Sequence, residues 1–364
     1  MCKSPLHQFL AELPKCEHHL HLEGCLTPAL VFKLAAKNGV ALPSPEDDPA
    51  YASPESLAAH YDNFGSLEDF LQCYYRGLRV LVAEADFELL AWEYFVTAAE
   101  HGVRHAEVFF DPQSHTERGV AFDTVVRGFK AACDRARREL GITTRLIMCF
   151  LRHLPPASAA ETLASAVEGG HLDGDGDHHD DDNEARRTIT GFGLDSSEVG
   201  FRPELFADVY REAERRGVRR TAHGGEEGDP TYISGALDGL RAERIDHGVR
   251  LVEDPALLRR VVEEEILLTV CPLSNVCLRV VEHVGQLPIR EFLDAGVRFS
   301  INSDDPAYFG GYVLHNFCAV QQAFDFTIDE WRLIAENSIH GSWIGEKRRL
   351  ELLSEVAEVV ERHR

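Results

Sequence analysis

The chain has 364 residues, with 37 Lys+Arg against 61 Asp+Glu and a formal charge of −24. That deficit of positive charge argues against a partner that is itself negative, whether nucleic acid or an anionic membrane surface. Apolar residues make up 44% and charged residues 27%, the composition of a soluble globular chain whose length lets it bury a large core without disulfide staples.

No apolar run approaches the roughly 18 residues needed to span a bilayer. The opening MCKSPLHQFLAELPK has no apolar run of the secretory kind. The nine cysteines are odd in number and irregularly spaced, a pattern of free thiols in a reducing compartment. The expected location is cytoplasmic, or nuclear as well in a eukaryote. No pattern specifies an oligomer.

Eight short apolar runs predict strands at 16–24, 103–111, 143–152, 189–197, 218–226, 244–249, 267–275 and 297–305. Their continuous rather than alternating apolar character suits strands buried on both faces. Helical patterns lie between them. TPALVFKLAAKNG has Thr27 as N-cap, Pro28 at the first helical position and Gly39 as the stop. FDTVVRGFKAACDRARRELG and RPELFADVYREAERRG carry 3.6-residue apolar stripes and end in Gly, and DPALLRRVVEEE opens on an Asp cap. Strand alternating with helix eight times predicts a closed (β/α)8 barrel of the TIM type, with an open doubly wound sheet as the alternative.

The whole chain, 1–364, reads as one barrel domain. The stretch 25–102 is too long for one crossover and predicts three or four extra helices, which in a barrel would wall the catalytic face. Residues 306–364 predict a further helical layer. The run HLDGDGDHHDDDNEARR at 171–187 carries seven acidic residues and no large apolar residue but Leu172, so it reads as a disordered surface loop. Asp173, Asp175, Asp177 and Glu184 match part of a calcium-loop spacing, but His178 stands where that loop needs Gly.

The chemistry gathers at the C-terminal ends of the predicted strands, where barrels of this kind build their sites. The first strand ends in His19-Leu20-His21. Alternate strand residues point the same way, so both imidazoles face one point and His18 faces the helical layer. The fifth strand ends in His223-Gly224-Gly225-Glu226, the sixth in Asp246-His247 and the eighth in Asp304-Asp305. One charged strand tip is usually a solvated cap; four together are harder to dismiss. Three histidines and a carboxylate make a ligand set suited to zinc with a position left for water.

Two other patterns carry less. His105-Ala106-Glu107 has the H-x-E form of another zinc deaminase class, but that class needs P-C-x-x-C, which this chain lacks. The pair reads as ordinary strand material, and Cys271 and Cys277 read as core. None of the six lysines lies in 189–197, the predicted fourth strand.

The stretches LPKCEHHLHLEG, TAHGGEEGDP, ERIDHGV, TVCPLSN and INSDDPAYFGGY occur in this order between Leu13 and about Ile344. Together they resemble the adenosine/adenine deaminase family of zinc (β/α)8 hydrolases. The resemblance implies one Zn²⁺ per chain, held by His19, His21, His223 and Asp304. It implies Glu226 as proton shuttle, His247 as the residue orienting the attacking hydroxide, and Asp305 as the partner of purine N7. Glu23 stands where adenosine-deaminating members usually carry an Asp for the ribose 5′-hydroxyl, and Ser196 where they present a Gly to purine N3. Both lean toward the adenine-specific branch, which implies a small purine substrate and conversion of adenine to hypoxanthine and ammonia in purine salvage. Adenosine to inosine, and removal of a substituted amine from N6, are the alternatives within the family. A non-catalytic metal-binding barrel is the alternative outside it, against which Glu226 and His247 speak.

Overall fold

The computed structural model describes residues 4–173 and 187–364, apart from the Leu67 side chain. Asp175, Asp177, His178 and Glu184, and with them most of the acidic run, lie outside the described residues. Eight parallel strands pair in chain order: β1 (Lys15–Glu17), β2 (Val103–Phe110), β3 (Thr143–Leu151), β4 (Ile189–Asp195), β5 (Arg219–Gly224), β6 (Arg244–His247), β7 (Leu267–Val270) and β8 (Phe299–Ile301). The ring closes just beyond β1 and β8. Leu20 bridges Asp304 there, the His21 N–H donates to the Asp304 carbonyl at 3.0 Å, and the Asp304 N–H donates to the His19 carbonyl at 3.0 Å. This contact selects the barrel over the open sheet.

Helices alternate with the strands where the periodicity placed them. In Pro28–Asn38 the Thr27 hydroxyl accepts the Leu30 N–H at 3.3 Å, and Gly39 ends the helix at φ 64°. That is the left-handed conformation glycine adopts without a Cβ penalty. Asp254 caps Pro255–Glu263 by accepting from the N–H groups of Ala256 and Leu257. Two boundaries differ from expectation. RPELFADVYREAERRG forms a 3-10 turn, Pro203–Phe206, and then the helix Ala207–Arg215. The seventh strand stops at Val270 because Pro272 takes the first position of a helix, Pro272–Cys277.

Between β1 and β2 run helices Pro28–Asn38, Pro54–Tyr61, Leu67–Gly77 and Glu84–Glu100. The last packs on Phe122–Leu140 so closely that a Cβ on Gly128 would sit 2.5 Å from the Glu84 carbonyl oxygen. It serves as the barrel's own crossover helix. The other three are extra, and Tyr61, Phe70 and Tyr74 tie them to the segment that follows Asp305. Tyr61 stacks on Tyr308 at 4.2 Å and Phe70 lies 4.8 Å from Phe309, measured between ring centroids. Helices Val313–Phe324, Ile328–Gly341 and Glu346–His363 complete the C-terminal part.

The barrel interior is a packed core with a polar floor. Arg244 donates to Glu107 at 2.6 Å, His105 Nε2 lies 3.0 Å from the same carboxylate, and the Trp343 N–H donates to it as well. His105 and Glu107 are therefore structural, as strand material of this kind was expected to be. Cys16, Cys25, Cys73, Cys133, Cys149, Cys271 and Cys277 are free thiols. No helix among the described residues is long and apolar enough to cross a membrane.

Candidate metal and catalytic centre

His19, His21, His223 and Asp304 are all buried, and one ligand atom from each lies within 4.8 Å of the others. His19 Nε2 is 3.2 Å and His21 Nε2 is 3.5 Å from Asp304 Oδ1. β1 itself ends at Glu17, so neither histidine sits in regular strand. Their convergence comes instead from the isolated bridges that carry Leu20 to Asp304 and His21 to Phe109. His18 points the other way, with Nδ1 3.1 Å from Ser300 Oγ and Nε2 2.7 Å from Ser342 Oγ, a structural role as expected.

The second nitrogen of each histidine has its own neighbour. His19 Nδ1 lies 2.9 Å from Thr269 Oγ1, His21 Nδ1 3.6 Å from Asp195 Oδ2, and His223 Nδ1 3.5 Å from Asp246 Oδ2. Asp246 is in turn held by the hydroxyls of Thr221 at 2.8 Å and Thr269 at 3.0 Å. Such outer partners fix the rings so that their free nitrogens face a common point. His19 Nε2 is buried with no hydrogen-bond partner. An orphaned imidazole nitrogen facing a carboxylate and two more imidazoles is a donor set that fits a divalent cation.

Beside this cluster stand the expected acids. His247 Nε2 lies 3.5 Å from Glu226 Oε2 and 3.8 Å from Asp304 Oδ2. Asn275 donates to Glu226 Oε1 at 3.1 Å. Burial, then the nearby Asp304 charge, pushes the Glu226 carboxyl well above its usual range, and Asp305 is raised by the same two causes. Burial keeps His247 well below the usual histidine range, hence neutral. His247 and Asp304 both adopt left-handed backbone, φ 63° and 64°. Gly24 packs against Asp305 so tightly that a Cβ would meet Asp305 Cα at 2.6 Å.

A narrow cavity opens here, lined by His21, Asp111, Asp195, Ser196, Glu226 and Asp305, with Phe70, Leu71, Tyr74 and Tyr75 of the extra helices among its walls. Ser196, at φ 71°, reaches it with its hydroxyl 2.7 Å from His153 Nδ1. Glu23 is not among the residues lining the cavity. It is fully buried, its Oε1 accepting the Asp111 N–H at 3.1 Å and lying 3.0 Å from His115 Nε2. Arg118 donates to His115 Nδ1 at 2.8 Å, which leaves the proton of the neutral ring on Nε2, aimed at Glu23. Glu23, expected among the substrate contacts, thus has Oε1 engaged by a partner 92 residues away, while Oε2 is buried without a hydrogen-bond partner among the described residues.

Sequence reading missed the group that holds Glu226 in place. The Glu198 carboxylate accepts four successive backbone N–H groups: Gly225 at 2.6 Å, Glu226 at 3.1 Å, Glu227 at 2.9 Å and Gly228 at 2.7 Å. The only signal was its place in GLDSSE at the end of β4. Asp111, Asp195, Thr269 and Asn275 were missed too, each lying in or next to a quoted stretch without a role.

The sequence profile of the adenosine deaminase family matches residues 14–359. An adenine deaminase of Aspergillus fumigatus is 58% identical over 363 residues, covering 100% of this chain and 99% of that one. An adenine deaminase of Schizosaccharomyces pombe is 56% identical, covering 100% and 95%. Among solved structures, adenine deaminase from Arthrobacter aurescens superposes with a TM-score of 0.88 at 43% identity, covering 96% of this chain and 99% of that one. An amidohydrolase from Burkholderia ambifaria with bound Zn gives a TM-score of 0.81 at 26% identity, covering 99% and 96%. With a barrel of this topology and a profile match over residues 14–359, the chain belongs to the adenosine deaminase family.

Proposed function

We propose that the chain deaminates adenine by hydrolysis, taking adenine and water to hypoxanthine and ammonia. The observation that carries the reading is the buried cluster of His19, His21, His223 and Asp304 with Glu226 and His247 beside it. Relatives at 56–58% identity over the whole chain bear the name adenine deaminase, which supports the free base over the nucleoside. The four-residue cluster is assigned one Zn²⁺, in line with the zinc of the Burkholderia neighbour. When bound there, zinc lowers the pKa of water and so supplies hydroxide near neutral pH.

The chain's own residues do the rest. Addition of oxygen at C6 breaks ring aromaticity and throws negative charge onto N1. Glu226, protonated because burial is the largest influence on it, donates to N1 at that moment. Its carboxylate then takes the proton from the added hydroxyl and passes it to the leaving amine. His247, kept neutral, orients the attacking oxygen together with Asp304. Asp305, likewise protonated, donates to N7. Ser196 faces N3. Phe70, Tyr74 and Tyr75 supply aromatic walls to the cavity.

Free thiols and the absence of cationic surplus suit a cytoplasmic enzyme of a small purine, without nucleic acid or membrane partners. The test is ammonia release from adenine, adenosine and N6-methyladenine on zinc-replete protein. Adenine is expected to lead by a wide margin. A preference for adenosine would overturn the substrate assignment, and no turnover of any 6-aminopurine would overturn the chemistry.

A further inference from the structure

Two carboxylates of the cavity wall, Asp111 and Asp195, touch no substrate atom in the chemistry above, although Oδ2 of Asp195 lies 3.6 Å from His21 Nδ1. They are 3% and 2% exposed, they lie within hydrogen-bonding reach of each other, and among the described residues no protein N–H or O–H donates to Oδ1 of either. A buried carboxylate oxygen with nothing to accept from is unfavourable unless a ligand supplies the donor. Glu23 accepts the Asp111 N–H, which fixes the backbone from which this carboxylate projects.

The strand ends follow the barrel in chain order. Going round from Asp305 after β8, and past β1, one meets Asp111 after β2, then Asp195 and Ser196 at the end of β4, then Glu226 after β5. Going round the purine from N7, one meets C8, N9, C4, N3, C2 and N1. With N7 on Asp305 and N1 on Glu226, the N9 edge falls to Asp111 and N3 to the end of β4. Free adenine carries a proton on N9, whereas a nucleoside carries a carbon there and has no donor to offer.

We infer that Asp111, with Asp195 beside it, accepts the N9–H of the free base and is the group that separates adenine from N9-substituted adenines. The inference rests on the adenine reading above and deepens it. Selectivity then lies in a hydrogen bond that only the free base completes. A site built around such a bond rejects analogues lacking the donor by about 10⁴-fold, far beyond what a missing methylene achieves.

The experiment compares adenine with 9-methyladenine, the smallest analogue without the N9 proton, on zinc-replete wild type, Asp111→Ala and Asp111→Asn. Metal content is measured on each. In wild type kcat/KM is expected to favour adenine by at least about 10³-fold. In Asp111→Ala that ratio should collapse to within about tenfold, through loss on adenine while 9-methyladenine holds or gains. Asp111→Asn keeps a carbonyl acceptor and should retain most of the ratio, which separates recognition from misfolding. The inference is overturned if both substrates fall alike in Asp111→Ala, or if wild type turns over 9-methyladenine as well as adenine. A second equivalent of metal that is lost with the Asp111 carboxylate would overturn it too, by giving the pair to a cation. Wild type that deaminates neither compound brings down the catalytic reading itself, and the inference with it.

Discussion

Replacing Glu198 by alanine should disable the enzyme without touching any metal ligand or, on the geometry above, the substrate. The carboxylate is 2% exposed and accepts four backbone N–H groups at 2.6–3.1 Å, those of Gly225 to Gly228. Hydrogen bonds to a charged group contribute about 1.5–3 kcal/mol each, but four donors on one loop relax together toward water. A net loss of about 3–5 kcal/mol follows. Unfolding entropy of about 2.1 cal/mol/K per residue over 364 residues gives about 0.8 kcal/mol/K, so Tm should fall by about 4–6 °C. The larger effect is on rate. The freed loop carries Glu226, and a misplacement of about 1 Å lowers kcat by about 10²-fold. Glu198→Gln keeps one acceptor oxygen and should recover part of both losses. The assays are calorimetry, steady-state deamination and zinc content, the last expected unchanged. An alanine variant with wild-type Tm and kcat within about threefold would refute the argument.

Three further outcomes are expected. Glu226→Gln should retain metal and substrate binding but lose about 10²–10⁴-fold in kcat, read by single-turnover deamination, because it cannot cycle a proton. Asp246→Asn should weaken zinc binding about 10–100-fold in a chelator competition, since Asp246 faces the second nitrogen of His223 at 3.5 Å. Lys15 is buried, donating to the carbonyls of Leu10 and Leu13 at 2.5 and 2.8 Å, and burial brings it from 10.5 to about 7. Between those values the unfolded chain binds the extra proton, so stability rises with pH across this window. Urea titrations should show wild type gaining on Lys15→Met by on the order of 4 kcal/mol from pH 7 to 10.5, and a flat difference would count against it.

What the sequence made legible was whatever depends on local pattern or on strand ends. Thr27, Pro28 and Gly39 mark a helix by their own chemistry, and the structure ends that helix where they say. His19, His21, His223 and Asp304 follow strand runs, and barrel closure delivers strand ends to one ring, so they could be grouped unseen. The strand logic worked for His19 and His21 although β1 stops at Glu17, because the bridges to Asp304 and Phe109 keep the chain extended. Residues whose partner lies far along the chain stayed hidden. Glu198 acts on a loop 27 to 30 residues later, and Thr269 on a histidine 250 residues earlier. The contact of Glu23 with His115 stayed hidden for the same reason, since its neighbours in sequence say nothing of a residue 92 positions on.

The centre is built from groups that oppose folding when they stand alone. Ser196, His247 and Asp304 hold left-handed backbone without being glycine, at a cost of about 1–3 kcal/mol each. Glu226, Asp304 and Asp305 crowd three carboxyls into one buried cavity, and His19 Nε2 has no hydrogen-bond partner. A cation bound to His19, His21, His223 and Asp304 offsets the carboxylate crowding and engages the unpartnered imidazole nitrogen, and it has no counterpart site in the unfolded chain. Metal should therefore act as a folding ligand as well as a reagent. At a free concentration about 1,000 times its Kd, linkage alone adds about 4 kcal/mol, or about 5 °C on the scale worked out for Glu198. Chelation should lower Tm by at least that much and readdition of zinc should restore it. Asp304→Asn, lacking one ligand charge, should show a smaller shift. Equal melting temperatures for stripped and reloaded protein would mean that the strained residues are held by the barrel alone.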